Sequence, residues 1–354
     1  MNDLRATIKQ SPPIDTSLPY DPSTLAGKVI LITGGANGLG SHMVRHWASH
    51  GAHVFIGDID DPAGEALVAE LSSKYEKQTF GYRRCNVTVW EDQVKLFEEA
   101  SRASPSGRIN VVVPNAGVLI PSMSLKFENP RLVNGVIPKP NLLQLDVNIT
   151  GVTYTTHLAL YYLPLQPAAA GEEDATSKAA GSEDRTILLI GSLASVAPLP
   201  GQAQYTMSKH AVAGLFRSLR ATSFPHGIRV NMLAPYYVDE TNMLNAFKEA
   251  LFLAGSAGTA SVSDVVDAAT RLVADEAVAG RSLMIGPPLK EIPGEEEMSS
   301  PDGAARATWD CYADDYDAVE SFRWRYVQIL NAVAKARGTF AWIVDLFSIV
   351  TRRK

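Results

Sequence analysis

Val29-Ile30-Leu31-Ile32-Thr33-Gly34-Gly35-Ala36-Asn37-Gly38-Leu39-Gly40 is the stretch on which the fold turns. A short apolar run leads into a glycine-rich turn, and a helical pattern follows as far as residue 50. The same alternation repeats along the chain. Residues 52–57 predict a second strand and 62–75 a second helix; 83–87, 90–103 and 109–113 predict a third strand, a third helix and a fourth strand. Strand and helix in strict alternation mean a parallel sheet, because parallel neighbours need a crossover and a helix supplies it. Such strands are buried on both faces, hence continuous rather than alternating hydrophobicity.

Beyond residue 141 a long helical pattern reaches 163, and a stretch rich in Ala, Gly, Glu and Ser over 166–185 reads as an exposed loop. Residues 186–190 predict a fifth strand, 205–222 a helix, 228–233 a sixth strand and 282–285 a seventh. The arrangement expected is an α/β domain over 26–290, preceded by an extended, proline-punctuated arm over 1–25. An extension over 291–354 follows, irregular and acidic to 315 and helical over 316–337.

Bulk properties narrow the function. The 354 residues carry 46% hydrophobic and 20% charged side chains, enough apolar material for a full core. Net charge is −6 with no long basic block, which argues against a nucleic-acid binder. Cys85 and Cys311 are the only cysteines, too few for a disulfide framework, so a reduced cytoplasmic setting is the default. No secretory leader is read at the N-terminus, and no apolar run approaches the roughly 20 residues that span a bilayer.

A glycine turn after a first strand lets the backbone approach a pyrophosphate at a helix N-terminus. Its spacing here is G-x-x-x-G-x-G, which on its own could equally be a tight connection. Asp58 ends the second strand, 20 positions after Gly38, where a carboxylate bonds a ribose hydroxyl and repels the extra phosphate of NADP. Asn37 offers that phosphate no positive charge, so NAD is favoured. The alternative is that Asp58 caps the helix near Pro62, a task open also to Asp60 or Asp61.

Tyr205 and Lys209 stand four apart in a helical pattern and share one face. A neighbouring ammonium lowers the pKa of a phenol, making the tyrosine a general base. Ser192, just past the fifth strand, is placed to hold a substrate oxygen or to cap a turn.

Taken together, Thr33-Gly34-x-x-x-Gly38-x-Gly40, Asn115-Ala116-Gly117, Asn148, Ser192 and Tyr205-x-x-x-Lys209 resemble the short-chain dehydrogenase/reductase family over roughly residues 26–287. The resemblance implies a doubly wound Rossmann-type sheet of about seven strands flanked by helices. It implies that Tyr205 exchanges a proton with the substrate, Ser192 orients its oxygen, and Lys209 lowers the tyrosine pKa and holds the nicotinamide ribose. Asn148 positions a water, and no metal is needed. Gly34, Asn37, Gly38, Leu39, Gly40, Asp58, Asn86, Val87, Asn115, Ala116 and Gly117 are then cofactor residues, with Pro235 and Val238 beside the nicotinamide.

The chain departs from the family in places. Asn86 stands where an aspartate is usual and is expected to meet adenine through its carbonyl; Pro114 replaces a usual asparagine. Pro235-Tyr236-Tyr237-Val238-Asp239-Glu240-Thr241 lacks the glycine of the usual Pro-Gly-x-Val-x-Thr and displaces its threonine.

The segment 264–288 is similar to the hydroxyprostaglandin dehydrogenase-like branch and its fungal relatives, which oxidise secondary alcohols on lipophilic or polyketide-type molecules. An NADPH-dependent ketone reductase and a non-catalytic nucleotide-binding redox sensor are the alternatives. The apolar segment 242–260 is either a substrate lid or core packing. The tail over 340–354, apolar and then basic, either packs on protein or lies in a membrane interface. The family also implies a homodimer.

Overall fold

A computed structural model describes residues 10–165, 184–238, 258–289 and 306–311, with Ala332 and Ala336. Eight strands form one sheet in the order β3-β2-β1-β4-β5-β6-β7-β8. β1 (Val29–Thr33), β2 (His53–Asp58), β3 (Phe80–Arg84), β4 (Val111–Pro114), β5 (Arg185–Ile190), β6 (Ile228–Pro235) and β7 (Ser282–Leu289) run parallel, while β8 (Arg306–Cys311) is antiparallel to β7. The chain reverses direction across the sheet between β1 and β4. In sheets of this kind a ligand crevice opens there, beyond the carboxyl ends of the strands.

The helices cover both faces. α1 (Gly38–Ser49), α2 (Asp61–Lys74) and α7 (Val262–Ala274) enclose a core around Met43, Trp47, Leu67 and Leu272. On the other face α3 (Trp90–Ala103), α5 (Val152–Tyr162) and α6 (Ala203–Leu219) enclose Phe97, Leu158, Val212 and Phe216. All five residues of β1 and all six of β5 are buried, as expected for strands covered on both sides. Trp47 spends its indole N–H on Thr270 Oγ1 at 3.0 Å, so its ring is buried without an orphaned donor.

Three features differ from the sequence reading. First, the third strand lies at Phe80–Arg84, not 83–87. It is an edge strand of half-buried residues with no apolar run to mark it. Second, the helix expected over 141–163 is built of a short turn at Leu143–Leu145, a π-helical turn at Asp146–Gly151 and then α5. A short α4 (Pro121–Glu128) precedes it. Third, β8 lies inside the stretch read as acidic and irregular, which makes the sheet eight-stranded. Asp310 in β8 pairs with the buried Arg281, Oδ1 to Nη2 at 2.6 Å and Oδ2 to Nε at 3.0 Å. A polar strand is therefore stable at this edge.

The N-terminal arm is extended but not free. Ser11 N–H donates to Ala279 O, Ile14 N–H to Asp310 Oδ2 and Thr16 Oγ1 to Thr308 O, at 2.9, 2.8 and 3.1 Å. The arm thus straps β7, β8 and the turn before them. The loop over 166–183, most of the expected lid, almost all of the C-terminal helix and the tail over 340–354 lie outside the described residues. Among the described residues no helix is long and apolar enough to cross a membrane.

Candidate active site

At the carboxyl ends of the strands a cavity of about 540 Å³ opens. Gly34, Asn37, Gly38, Leu39, Gly40, Asp58, Asn86, Val87, Asn115, Ala116, Gly117, Ser192, Tyr205, Lys209, Pro235 and Val238 all line it. Asn148 stands behind this wall rather than in it.

The glycine turn owes its shape to close backbone approach. Gly34 has φ +65°, and a Cβ there would lie 2.7 Å from Ala116 Cα; a Cβ at Gly40 would lie 2.1 Å from Gly34 O. Only glycine leaves the turn this tight. Asn115 Nδ2 fastens it from β4, donating to Thr33 O at 3.1 Å and Gly34 O at 2.7 Å. At the start of α1, Asn37 makes no side-chain cap and donates instead to Asp60 Oδ2 at 2.9 Å. The first backbone N–H groups of α1 are left as the donors that suit a phosphate. These residues fit a dinucleotide.

The two readings of Asp58 separate cleanly. Asp60, not Asp58, caps α2, accepting the N–H of Ala63. Asp58 Oδ2 accepts Ala36 N–H at 2.9 Å, and its Oδ1 accepts Ile59 and Asp60 N–H at 2.7 and 3.2 Å. The carboxylate is fixed between the glycine turn and the end of β2. Asn86 is less available than expected, because its carbonyl accepts both Thr88 N–H and Thr88 Oγ1–H. Any adenine contact through that oxygen competes with these bonds.

The end of the cavity around Tyr205 is buried. Tyr205 is 8% and Lys209 7% exposed. Ser192 Oγ accepts Ala194 N–H at 3.2 Å and lines the same cavity as Tyr205, so it both caps a turn and faces the cavity. Lys209 Nζ donates to Ile190 O at 3.0 Å and lies 5.7 Å from the centroid of the Tyr205 ring. Among the described residues it has no carboxylate partner. Burial lowers its pKa to about 8. Burial also raises Tyr205, an effect the neighbouring Ser192 hydroxyl only partly offsets. The sequence expectation that Lys209 lowers the phenol counted the charge and left out the burial; in the protein alone, desolvation wins.

Two residues unite this end. Ser195, fully buried, accepts Ser192 N–H at 3.1 Å and donates to Lys209 O at 2.9 Å, tying the serine turn to α6. Asn148, in the π-helical turn, accepts Val118 N–H at 2.8 Å and donates to Val118 O at 2.9 Å and Ser208 Oγ at 3.1 Å. Its amide is largely committed to protein.

Sequence reasoning did not single out Ile59, Val118, Leu119, Ile120, Leu193 and Leu199, which also line the cavity, and it noted Tyr236 and Tyr237 only as part of an altered segment. Apart from Leu199, their common signal was position just past the ends of strands. Thr241 lies outside the described residues; the bridge between Val238 and Ala260 brings the two ends of that segment together.

Comparison with known proteins agrees with this geometry. The sequence model of short chain dehydrogenases matches residues 28–251. A 5'-hydroxyaverantin dehydrogenase of Dothistroma septosporum is 32% identical over 277 residues, 75% of this chain and 87% of that protein. A second 5'-hydroxyaverantin dehydrogenase, from Emericella nidulans, is 33% identical over 292 residues, 78% of this chain and 88% of its own length. An NADP-dependent dehydrogenase of a Phoma species is 32% identical over 287 residues, 79% of each chain. With the glycine turn, the Asn115 tie and the Ser192, Tyr205 and Lys209 cluster in one cavity, this chain belongs to the short-chain dehydrogenase family of nicotinamide-dependent oxidoreductases.

Proposed function

We propose that this chain oxidises a secondary alcohol on a lipophilic, polyketide-type substrate, with NAD as hydride acceptor. The observation that carries the reading is one cavity that holds Ser192, Tyr205 and Lys209 together with the anchored Asp58. Nicotinamide, when bound, supplies the hydride acceptor. Ser192 holds the substrate oxygen and Tyr205 Oη takes its proton. Lys209, charged below about pH 8, stabilises the phenolate that proton uptake requires. The walls from Val118 to Ile120, with Leu193, Leu199 and two tyrosines, favour a bulky apolar substrate over a small alkanol. The two 5'-hydroxyaverantin dehydrogenases support that substrate class by their names alone.

The roles assigned to Gly34, Gly38, Leu39, Gly40, Asn115, Ala116, Gly117, Val87, Pro235 and Val238 are those of a cofactor cradle. Asn148 is a positioning residue for the stretch at Val118. We also propose a homodimer, which sedimentation velocity would reveal.

NADPH-dependent ketone reduction is a second reading. The Phoma relative is named NADP-dependent, and Arg84 Nη1 donates to Ile59 O at 2.6 Å, beside Asp58. That guanidinium is engaged by Asp61 at 2.9 Å, and Asp58 opposes a second phosphate, so NAD is preferred. The test is NADH production across secondary alcohols, from alkanols to hydroxylated polyketides and lipids, with both cofactors titrated. Turnover of bulky alcohols with NAD is expected; tighter binding of NADPH than NADH would overturn the cofactor choice.

A further inference from the structure

Between α4 and the π-helical turn the chain makes an excursion whose residues do not line the cavity. Val133 and Val136 exchange both backbone hydrogen bonds, at 2.9 and 3.1 Å, around Asn134 and Gly135 at φ 52° and 80°. This is a tight two-residue hairpin. Its base is fastened to the protein, with Ile120 N–H on Gln144 Oε1 at 2.6 Å and Gln204 Nε2 on Asn141 O at 3.0 Å.

The tip is apolar and bare. Leu132, Val133, Val136 and Ile137 are 57–67% exposed. With four more between Leu125 and Leu143, they make up eight of the thirteen large hydrophobic side chains exposed among the described residues. Scattered exposed apolar residues are ordinary, but a concentrated patch marks a contact.

Charge says which contact. Lys126, Arg131 and Lys139 flank the tip, and none has an ion-pair partner among the described residues. The single acid of this stretch, Glu128, accepts the N–H of Ala203 at 2.9 Å. A locally basic apolar tip on a chain of net charge −6 suits an anionic lipid surface. A symmetric contact with a second copy would instead set these cations against their own equivalents.

We propose that the hairpin over 131–139 is a lipid contact: its four apolar side chains enter the interfacial layer and Arg131 and Lys139 meet headgroup phosphates. The inference stands apart from the dehydrogenase reading. Leu119 and Ile120, just before α4, line the catalytic cavity, so docking here would bring that cavity towards the phase in which lipophilic alcohols concentrate.

Flotation of the full chain with vesicles of phosphatidylcholine, with and without phosphatidylserine, tests it. Each basic residue near an anionic leaflet strengthens binding by roughly fivefold. The wild type is expected to float with the serine-containing vesicles and the Val133→Asp/Val136→Asp variant to lose roughly tenfold or more of that binding. Turnover of a soluble alcohol stays unchanged in that variant, which shows that it folds. Arg131→Glu/Lys139→Glu should remove the preference for phosphatidylserine. Absence of wild-type flotation, or equal flotation of Val133→Asp/Val136→Asp, would overturn the proposal. So would conversion of a dimer to a monomer by that variant with vesicle binding intact, the mark of a protein interface.

Discussion

Two buried cations, Arg281 at the β7–β8 edge and Lys209 in the cavity at the strand ends, sit in the same protein under opposite conditions. Arg281 is fully buried and answered by both oxygens of Asp310, whose Oδ2 also holds the N–H of Ile14 from the N-terminal arm. Lys209 is nearly as buried and has one backbone carbonyl and the Tyr205 ring, its centroid 5.7 Å away. The first cation is neutralised and serves the fold. The second is left electrostatically hungry, its pKa drawn down to about 8 by burial, so that its charge responds to whatever enters the cavity. Stability and chemistry are kept at separate ends of the sheet.

Breaking the paired site should give the largest stability effect. Asp310→Ala leaves Arg281 buried without a counter-charge and releases the arm, a loss of about 3–5 kcal/mol by the usual cost of an orphaned buried ion. Urea denaturation measures it, with kcat of the folded fraction expected to stay near wild type. A loss below 1 kcal/mol would show that water reaches this edge.

Ser195→Ala sharpens the comparison at the other end. The variant frees the serine turn from α6 and should lower kcat about tenfold with a smaller change in KM, at a stability cost of about 1–2 kcal/mol. Restoration by Ser195→Cys would support positioning through the hydrogen bonds, whereas a lower melting temperature with unchanged kcat would reduce Ser195 to packing.

The smallest shift is the most diagnostic. The folded pKa of Lys209 lies below the unfolded one, so from about pH 8 to 10.5 the unfolded chain binds more protons and stability rises with pH. Below pH 8 the whole penalty of burying the charge is present, on the order of 3 kcal/mol. Lys209→Met removes that penalty but orphans Ile190 O. It is expected to stabilise the protein by about 1 kcal/mol at pH 7 while flattening the rise with pH and abolishing turnover. Destabilisation at pH 7 would mean that Lys209 is paired after all.

What the sequence disclosed follows from the same contrast. The residues that meet in the cavity could be picked out in sequence because their signals are local: glycines where the backbone crowds, an acid at the end of β2, and Tyr205 and Lys209 one helical turn apart. β8 was hidden because Asp310 is buried only by virtue of Arg281, 29 positions away. β3 slipped because an edge strand reading Phe-Gly-Tyr-Arg-Arg has no buried run. The rest of the cavity wall escaped because Leu119 or Tyr236 acquires meaning only when strand ends converge. The direction of the Tyr205 shift was missed for a related reason, since burial is a property of the folded whole.

The central claim is that Tyr205, in the site left without a counter-charge, carries the proton. Tyr205→Phe should keep NAD affinity and melting temperature close to wild type while NADH formation from a secondary alcohol falls by about 10²–10⁴ or more. Full activity in that variant would contradict the account.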